Sequence, residues 1–397
     1  MKIRFFYALL WSFCFTVSFA QPPGLALTTG SPESVGFDGE KLKNLDRHIE
    51  KFIANKSMPG GVFLVARKGK IVYFKNFGHH TTAGKTPYQK GDIFRLASMT
   101  KAITTVAVLQ LYEQGRLGLD DPLYYYIPAF KEAQILKDFN PADSSFTTTP
   151  AQNPITIRHL LTHTSGITYG VFNPGKIGAI YEKIGANQFG LSHPTLTTEE
   201  MVEVIARVPL LFEPGTEFKY GLNMEVLGRV VEVVSGMPLD QYFKENIFDP
   251  LGMEDTWFYL PKDKQDRLVP VYTYDENRQL ITAPGDGPTG ADYPKAPRRN
   301  HFAGGGGLSG TAHDYAIFAQ ALLNGGAYNG KRILSRKTID VMTADQLISL
   351  NEKGTGYSNI PGLSFGLGFA IRTEEAQAVS PKSPGTFEWS GYFNTKF

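Results

Sequence analysis

One cysteine, Cys14, occurs in 397 residues. A lone cysteine excludes an internal disulfide framework and a cysteine-rich metal cage. Charge of one sign is missing too: 40 Lys and Arg stand against 38 Asp and Glu, a formal net charge of +2. That balance implies no polyanion partner and argues against nucleic-acid binding. No internal repeat of the solenoid kind is present. What is there, 42% hydrophobic and 20% charged residues, is the composition of a soluble globular protein. The length suits one large domain or two ordinary ones.

The first residues differ from the rest. Lys2 and Arg4 precede an apolar run starting at Phe5, and Ser18-Phe19-Ala20 closes it. A basic start, an apolar stretch and a small-x-small tripeptide describe a secretory signal peptide, residues 1–20, cleaved after Ala20. The run is short for a membrane span. The mature chain is therefore expected to be periplasmic or secreted, with no stable membrane insertion. A lipoprotein anchor at Cys14 would need small residues before it, where Trp11-Ser12-Phe13 stand. Cleavage would remove Lys2, Arg4 and Cys14, leaving 38 basic and 38 acidic residues and no thiol.

Leu42, Leu45, Ile49 and Ile53 recur at helical spacing. The stretch Gly60 to Gly78 holds two β-rich runs around Lys68-Gly69, a hairpin pattern. A long helix containing Ser98 follows, ended by Gly115 and by the turn Gly118 to Pro122. From there to about residue 355 the pattern reads as mostly helical with long loops. Thr197 and Glu200 cap one helix, Met224 to Val234 and Asp240 to Ile247 are two more, and Thr311 with Asp314 caps another. Ala283 to Arg299, rich in Pro and Gly, reads as a surface loop. Strand character returns at Ser364 to Ile371 and Gly385 to Phe397. These β-rich ends around a helical middle predict an α/β (α+β) fold. An antiparallel sheet flanked by helices is built from both chain ends, 21–120 and 356–397, with a large mainly helical insertion at 121–355. Phe397 falls inside an apolar strand pattern, so the chain is expected to stop short of its last strands.

Ser98-Met99-Thr100-Lys101 places a serine and a lysine at i and i+3 on one helix face. A serine hydroxyl is a poor nucleophile unless a neighbour takes its proton, which a lysine kept neutral or strongly hydrogen-bonded can help to do. A helix start also offers free N–H groups to developing negative charge. The same spacing equally describes a capping serine beside a surface lysine. Tyr220 follows the turn Pro214-Gly215 just before a helix start. A tyrosine near cations can ionise and serve as a base, and it can as well be a packed aromatic. His159 and His163 stand at i and i+4, but Leu160 occupies the place where a zinc-peptidase helix needs glutamate. The run Gly304 to Gly307 lacks the lysine and hydroxyl of a phosphate loop.

Taken together, SMTK, HLLTHTSGI at His159 to Ile167, PGTEFKY leading into VLGRVVEVVSG, and GGGGLSGTAHDYAIFAQALLNGG at Gly304 to Gly326 resemble the serine β-lactamase-related superfamily. That superfamily includes class C β-lactamases, DD-peptidases and family VIII carboxylesterases. The resemblance implies an α/β domain made from both chain ends, a helical insertion, and a site in the cleft between them. It also implies that Ser98 is the acylated nucleophile, Lys101 its partner and Tyr220 the general base. Trp389-Ser390-Gly391 is similar to the K-T-G element, whose following N–H, that of Tyr392, would complete an oxyanion hole with that of Ser98.

Two positions depart from the pattern. Leu222 stands where the Y-x-N element has asparagine, with Asn223 one place late, and Trp389 replaces the lysine of K-T-G. Trp389 cannot pair with a substrate carboxylate, although Ser390 can still donate a hydrogen bond. Trp389, Ser390, Gly391 and Asn223 are the expected substrate-binding residues, in an apolar cleft suited to neutral esters. The W-x-G element resembles that of family VIII esterases. The expected function is an exported serine hydrolase that forms an acyl-enzyme on a small-molecule ester or amide, with no metal and no cofactor. The alternatives are a β-lactamase, DD-peptidase or D-aminopeptidase, or an idle envelope-binding protein of the same fold.

Overall fold

The computed structural model describes residues 24–397 except 25, 82–83, 85, 174, 187–190, 285–289 and 291. The expected signal peptide, 1–20, lies outside the described residues. The fold is mixed α/β.

Near the amino-terminal end, β1 (Thr28–Thr29) pairs in parallel with β3 (Lys70–Gly78), and β3 forms the expected hairpin with β2 (Gly60–Arg67). Lys68 and Gly69 turn it with φ of 51° and 74°, two left-handed residues whose twist matches that of the strands. Helix α1 (Asn44–Ala54) lies on this sheet. Its Asp46 carboxylate accepts from Tyr73 Oη and Lys75 Nζ of β3, each at 2.6 Å.

At the other end, the run that reads as one strand from Ser364 to Ile371 is a hairpin. Its glycines let the chain reverse, so that Leu363–Phe365 pairs with Ala370–Arg372, and Phe387–Glu388 adds to the latter. The strands of the two chain ends thus form two three-stranded sheets. The sequence suggested one continuous sheet, but β-character alone does not say which edges meet.

Between the ends, helix α2 (Thr100–Glu113) is buried on all faces from Thr100 to Leu111. A helix apolar all round belongs in a core, and α2 packs on α4 (Asn223–Ser235). Helix α3 (Thr198–Ala206) opens on a reciprocal capping box between Thr197 and Glu200. In α5 (Ala312–Leu323), Thr311 accepts from the Asp314 N–H.

The middle is less helical than its sequence suggests. It holds the hairpin Gln134–Asn140 with Ser145–Pro150 and a shorter one, Tyr272–Tyr274 with Leu280–Thr282. The segment expected as a surface loop is only partly one. Tyr293 within it is buried, and its Oη donates to the Gly307 carbonyl at 2.8 Å. Among the described residues, no helix is long and apolar enough to cross a membrane.

Candidate active site

The nucleophile turn is built by a change of backbone direction. Phe94–Arg95 pairs antiparallel with Ser309–Gly310, and the Leu96 N–H continues to the Leu308 carbonyl at 2.9 Å. The chain then turns at Ala97, φ 44°, a left-handed conformation that costs a residue with a Cβ about 1–3 kcal/mol. One 3₁₀ turn, Ala97–Met99, carries Ser98, and α2 begins only at Thr100. Ser98 therefore precedes the α-helix and faces the cleft, half-buried. Threonines of α2 hold the facing glycine run. Thr104 Oγ1 donates to the Gly304 carbonyl at 2.5 Å, and Thr100 Oγ1 accepts from the Leu308 N–H at 3.2 Å.

Lys101 is wholly buried. Its Nζ donates to Ser98 Oγ at 3.3 Å, to Tyr169 Oη at 3.2 Å and to the Gly305 carbonyl at 2.7 Å. An ammonium has three protons to donate, and all three are placed. Burial pushes the lysine toward neutrality, but Tyr169, Tyr220 and Glu225 outweigh it and raise its pKa. Its three acceptors are those that suit an ammonium, and they fix the Lys101 side chain beside Ser98.

Tyr220 Oη donates to Ser98 Oγ at 2.8 Å and accepts from Trp389 Nε1 at 3.3 Å. Its ring packs against His163 at 4.7 Å, Trp389 at 5.4 Å and Tyr169 at 5.5 Å between centroids. Lys101 Nζ lies 4.9 Å from the ring centroid. Ser98 and Lys101 thus meet Tyr220 and Trp389, both distant in sequence, at one point.

Two further participants, Tyr169 and Glu225, escaped the sequence reading, and they join Gly305 of the glycine run 304–307. Tyr169 follows the THTSGI stretch and is as buried as the lysine it receives. Glu225, on α4, is buried and accepts from the Gly305 N–H at 2.9 Å. Burial pushes its carboxyl up to about 8, against the opposing pull of Lys101. The Gly305 peptide therefore bridges the two: its carbonyl takes Lys101 and its N–H takes Glu225. A Cβ there would fall 2.3 Å from Glu225 Oε1 and 3.2 Å from Lys101 Nζ, so any larger residue would have to displace these two groups. A glutamate in the first turn of an otherwise apolar helix was the available signal.

Asn223, expected at the substrate, is not in the cleft. It is fully buried, accepting from Ser165 Oγ at 2.5 Å and donating to His163 Nδ1 at 2.8 Å and the Ile167 carbonyl at 3.3 Å. The first turn of α4 points this residue inward, where it ties α4 to the segment before Tyr169. His163 Nδ1 accepts both from Asn223 and from the Gly221 N–H at 3.4 Å, which places its proton on Nε2. Burial, then Lys101, holds its pKa well below the ordinary histidine value. His159 Nδ1 accepts from the Thr156 N–H at 3.3 Å to cap a short helix. The two histidines thus serve separate local structures. Among the described residues, no cluster of three or more metal-ligating side chains occurs.

Trp389, Ser390, Gly391 and Tyr392 line a cavity of about 500 Å³ together with Ser98, Tyr169 and Tyr220. Gly391 packs on the nucleophile turn so closely that a Cβ would sit 2.3 Å from the Leu96 carbonyl. This segment therefore runs directly beside Ser98. Phe172, Leu191 and Tyr357 form apolar parts of the wall, but Arg372, Lys382, Glu388 and Lys396 line it too. The cleft is not the wholly apolar one expected from Trp389.

A half-buried serine contacted by a tyrosine hydroxyl and a buried lysine, at the mouth of a cavity, defines a serine hydrolase of the S-x-x-K type. The sequence profile of the beta-lactamase family matches residues 45–397, and the chain belongs to that family. It is 30% identical over 373 residues to esterase EstB of Burkholderia gladioli, covering 91% of this chain and 88% of EstB. It is 29% identical over 416 residues to a putative D-alanyl-D-alanine carboxypeptidase of Escherichia coli O157:H7, covering 98% of this chain and 87% of that protein. The solved structure of EstCE1, a hydrolase with promiscuous acyltransferase activity, superposes with a TM-score of 0.72 at 31% identity, covering 88% of this chain and 87% of that one.

Proposed function

We propose that this chain is an exported carboxylic-ester hydrolase acting through an acyl-enzyme at Ser98. The observation that carries the reading is the Trp389–Tyr220–Ser98 chain of contacts beside the Lys101 cation. Similarity to esterase EstB supports the ester over other acyl donors. The basic and apolar opening of the sequence supports export.

In the reaction, Tyr220 as phenolate takes the Ser98 proton while Ser98 Oγ bonds to the substrate carbonyl carbon. The Trp389 N–H and the nearby Lys101 ammonium face the charge that Tyr220 carries when it acts as the base. The oxyanion is assigned to the backbone N–H groups of Ser98 and Tyr392, near the positive end of α2. The carbon–oxygen bond to the alcohol then breaks, and the alcohol leaves with the proton from Tyr220. A water gives its proton to Tyr220, attacks the acyl carbon, and Ser98 leaves and regains the proton. Lys101 stays charged throughout.

The amide-cleaving alternative draws on the carboxypeptidase relative. Hydrolysis of p-nitrophenyl butyrate and of a chromogenic cephalosporin, measured side by side, separates the two. Ester turnover that vanishes in Ser98→Ala, with little cephalosporin turnover, is expected. Fast cephalosporin turnover with slow ester turnover would overturn the ester reading.

A further inference from the structure

Charge is unevenly distributed in the cavity that holds Ser98. Ala370 and Arg372 share one face of their strand, as residues two apart do, and both line the cavity with Glu388 and Ser390. Arg372 Nη2 donates to Glu388 Oε1 at 2.8 Å, and Lys382 Nζ pairs with the other oxygen of Glu388. Burial would raise the Glu388 carboxyl, but Lys382 and Arg372 outweigh it and keep it ionised at neutral pH. Lys396 faces Ser390 across an antiparallel bridge and lines the same cavity.

Three cations therefore share this wall with Glu388, the single carboxylate among the described lining residues. The surplus is two positive charges. The Arg372 side chain is only 13% exposed, and its Nε is buried with no hydrogen-bond partner. A guanidinium mostly withdrawn from water, in an opening with apolar walls, concentrates its field on what enters.

We propose that the physiological substrate is an ester with a carboxylate remote from the scissile bond, received by Arg372, Lys382 and Lys396. This rests on the ester-hydrolase reading above and names its substrate class. Trp389, next to Tyr220, presents no cation to the cleft beside Ser98, and the buried Lys101 has all three protons placed on protein acceptors. The recognised acid group therefore stands at the far end of the molecule. It belongs either to the acyl part, as in a dicarboxylic acid monoester, or to the alcohol part, as in an acylated hydroxybenzoate.

The experiment compares p-nitrophenyl butyrate with the p-nitrophenyl monoester of glutaric acid, and phenyl acetate with 4-acetoxybenzoate, using the full chain. At low ionic strength, kcat/KM for the anionic member of one pair should exceed that of its neutral partner by about fivefold or more, mainly through KM. The pair that responds identifies which part carries the acid. The preference should shrink in about 0.5 M salt, where screening acts within about 4 Å. Lys396→Glu should lower the anionic-to-neutral ratio, and Glu388→Gln should raise it. These opposite signs do not follow from a loss of folding, which thermal melts monitor separately. Neutral esters turned over with no anionic preference in either pair would overturn this proposal alone. So would a preference indifferent to salt and to both substitutions. Failure to turn over any of the four esters would overturn the ester-hydrolase reading itself, and this proposal with it.

Discussion

Trp389 Nε1 donates to Tyr220 Oη at 3.3 Å, on the oxygen that lies 2.8 Å from Ser98 Oγ. An indole has one donor and no charge. It steadies a phenolate without offering a cation to a substrate carboxylate. The replacement of lysine by tryptophan thus keeps a donor for the base and removes an anion-binding group from its side.

Trp389→Phe keeps the ring and removes that donor. A hydrogen bond to a charged group contributes about 1.5–3 kcal/mol, and the 3.3 Å length favours the lower end. We expect kcat to fall about tenfold. Steady-state kinetics with p-nitrophenyl butyrate would reveal this. An unchanged kcat would remove Trp389 from the base.

Tyr169→Phe leaves one proton of the buried Lys101 ammonium without its acceptor, in a place closed to water. The unmet donor should cost about 1–3 kcal/mol of stability, read as a lower Tm, together with a loss of kcat. A variant as stable as the parent would mean that Lys101 finds another acceptor.

Glu225 gives a pH-dependent stability with a defined sign. Its folded carboxyl sits at about 8, above the ordinary value of 4.5. Between these values the folded chain holds a proton that the unfolded chain has released, so this group lowers stability as pH rises. Glu225→Gln can still accept from the Gly305 N–H and never ionises. Its Tm relative to the parent should therefore climb from pH 4.5 to pH 8. Melts at several pH values test this, and a constant difference would contradict it.

Asn223→Ala separates a structural from a substrate-binding role. With Ser165, His163 and the Ile167 carbonyl losing their partner, stability should fall by about 1–3 kcal/mol. KM for neutral esters should stay within about twofold, since the side chain does not line the cavity. A large KM change in a folded variant would return Asn223 to the substrate.

The local features were written plainly in the sequence. The Gly60 to Gly78 hairpin, the Thr197–Glu200 capping box and the S-x-x-K pair follow from spacing alone. The partners of that pair did not. Tyr169 and Glu225 join Lys101 only through the packing of distant segments, and no local pattern encodes that. Asn223 was misread for a related reason. Its place three residues after Tyr220 does not say which way a side chain in the first turn of α4 points, and here both Leu222 and Asn223 point into the core. The cations of the cavity wall were also out of sight, because Arg372, Lys382 and Lys396 come together only when the carboxy-terminal strands pair. The Ser145 to Pro150 strand was overlooked among helical neighbours, although its β-branched threonines favour it.

Gly305 is fastened from two sides, its carbonyl by Lys101 of α2 and its N–H by Glu225 of α4. Parting of these helices would break either the Lys101 or the Glu225 contact to Gly305, so both contacts fasten the floor of the catalytic end of the cleft. At the rim, Phe172 and Tyr392 stand with ring centroids 5.8 Å apart and roughly half of each residue exposed. The placement of these two rings, above a fastened floor, defines the width of the opening to the cavity.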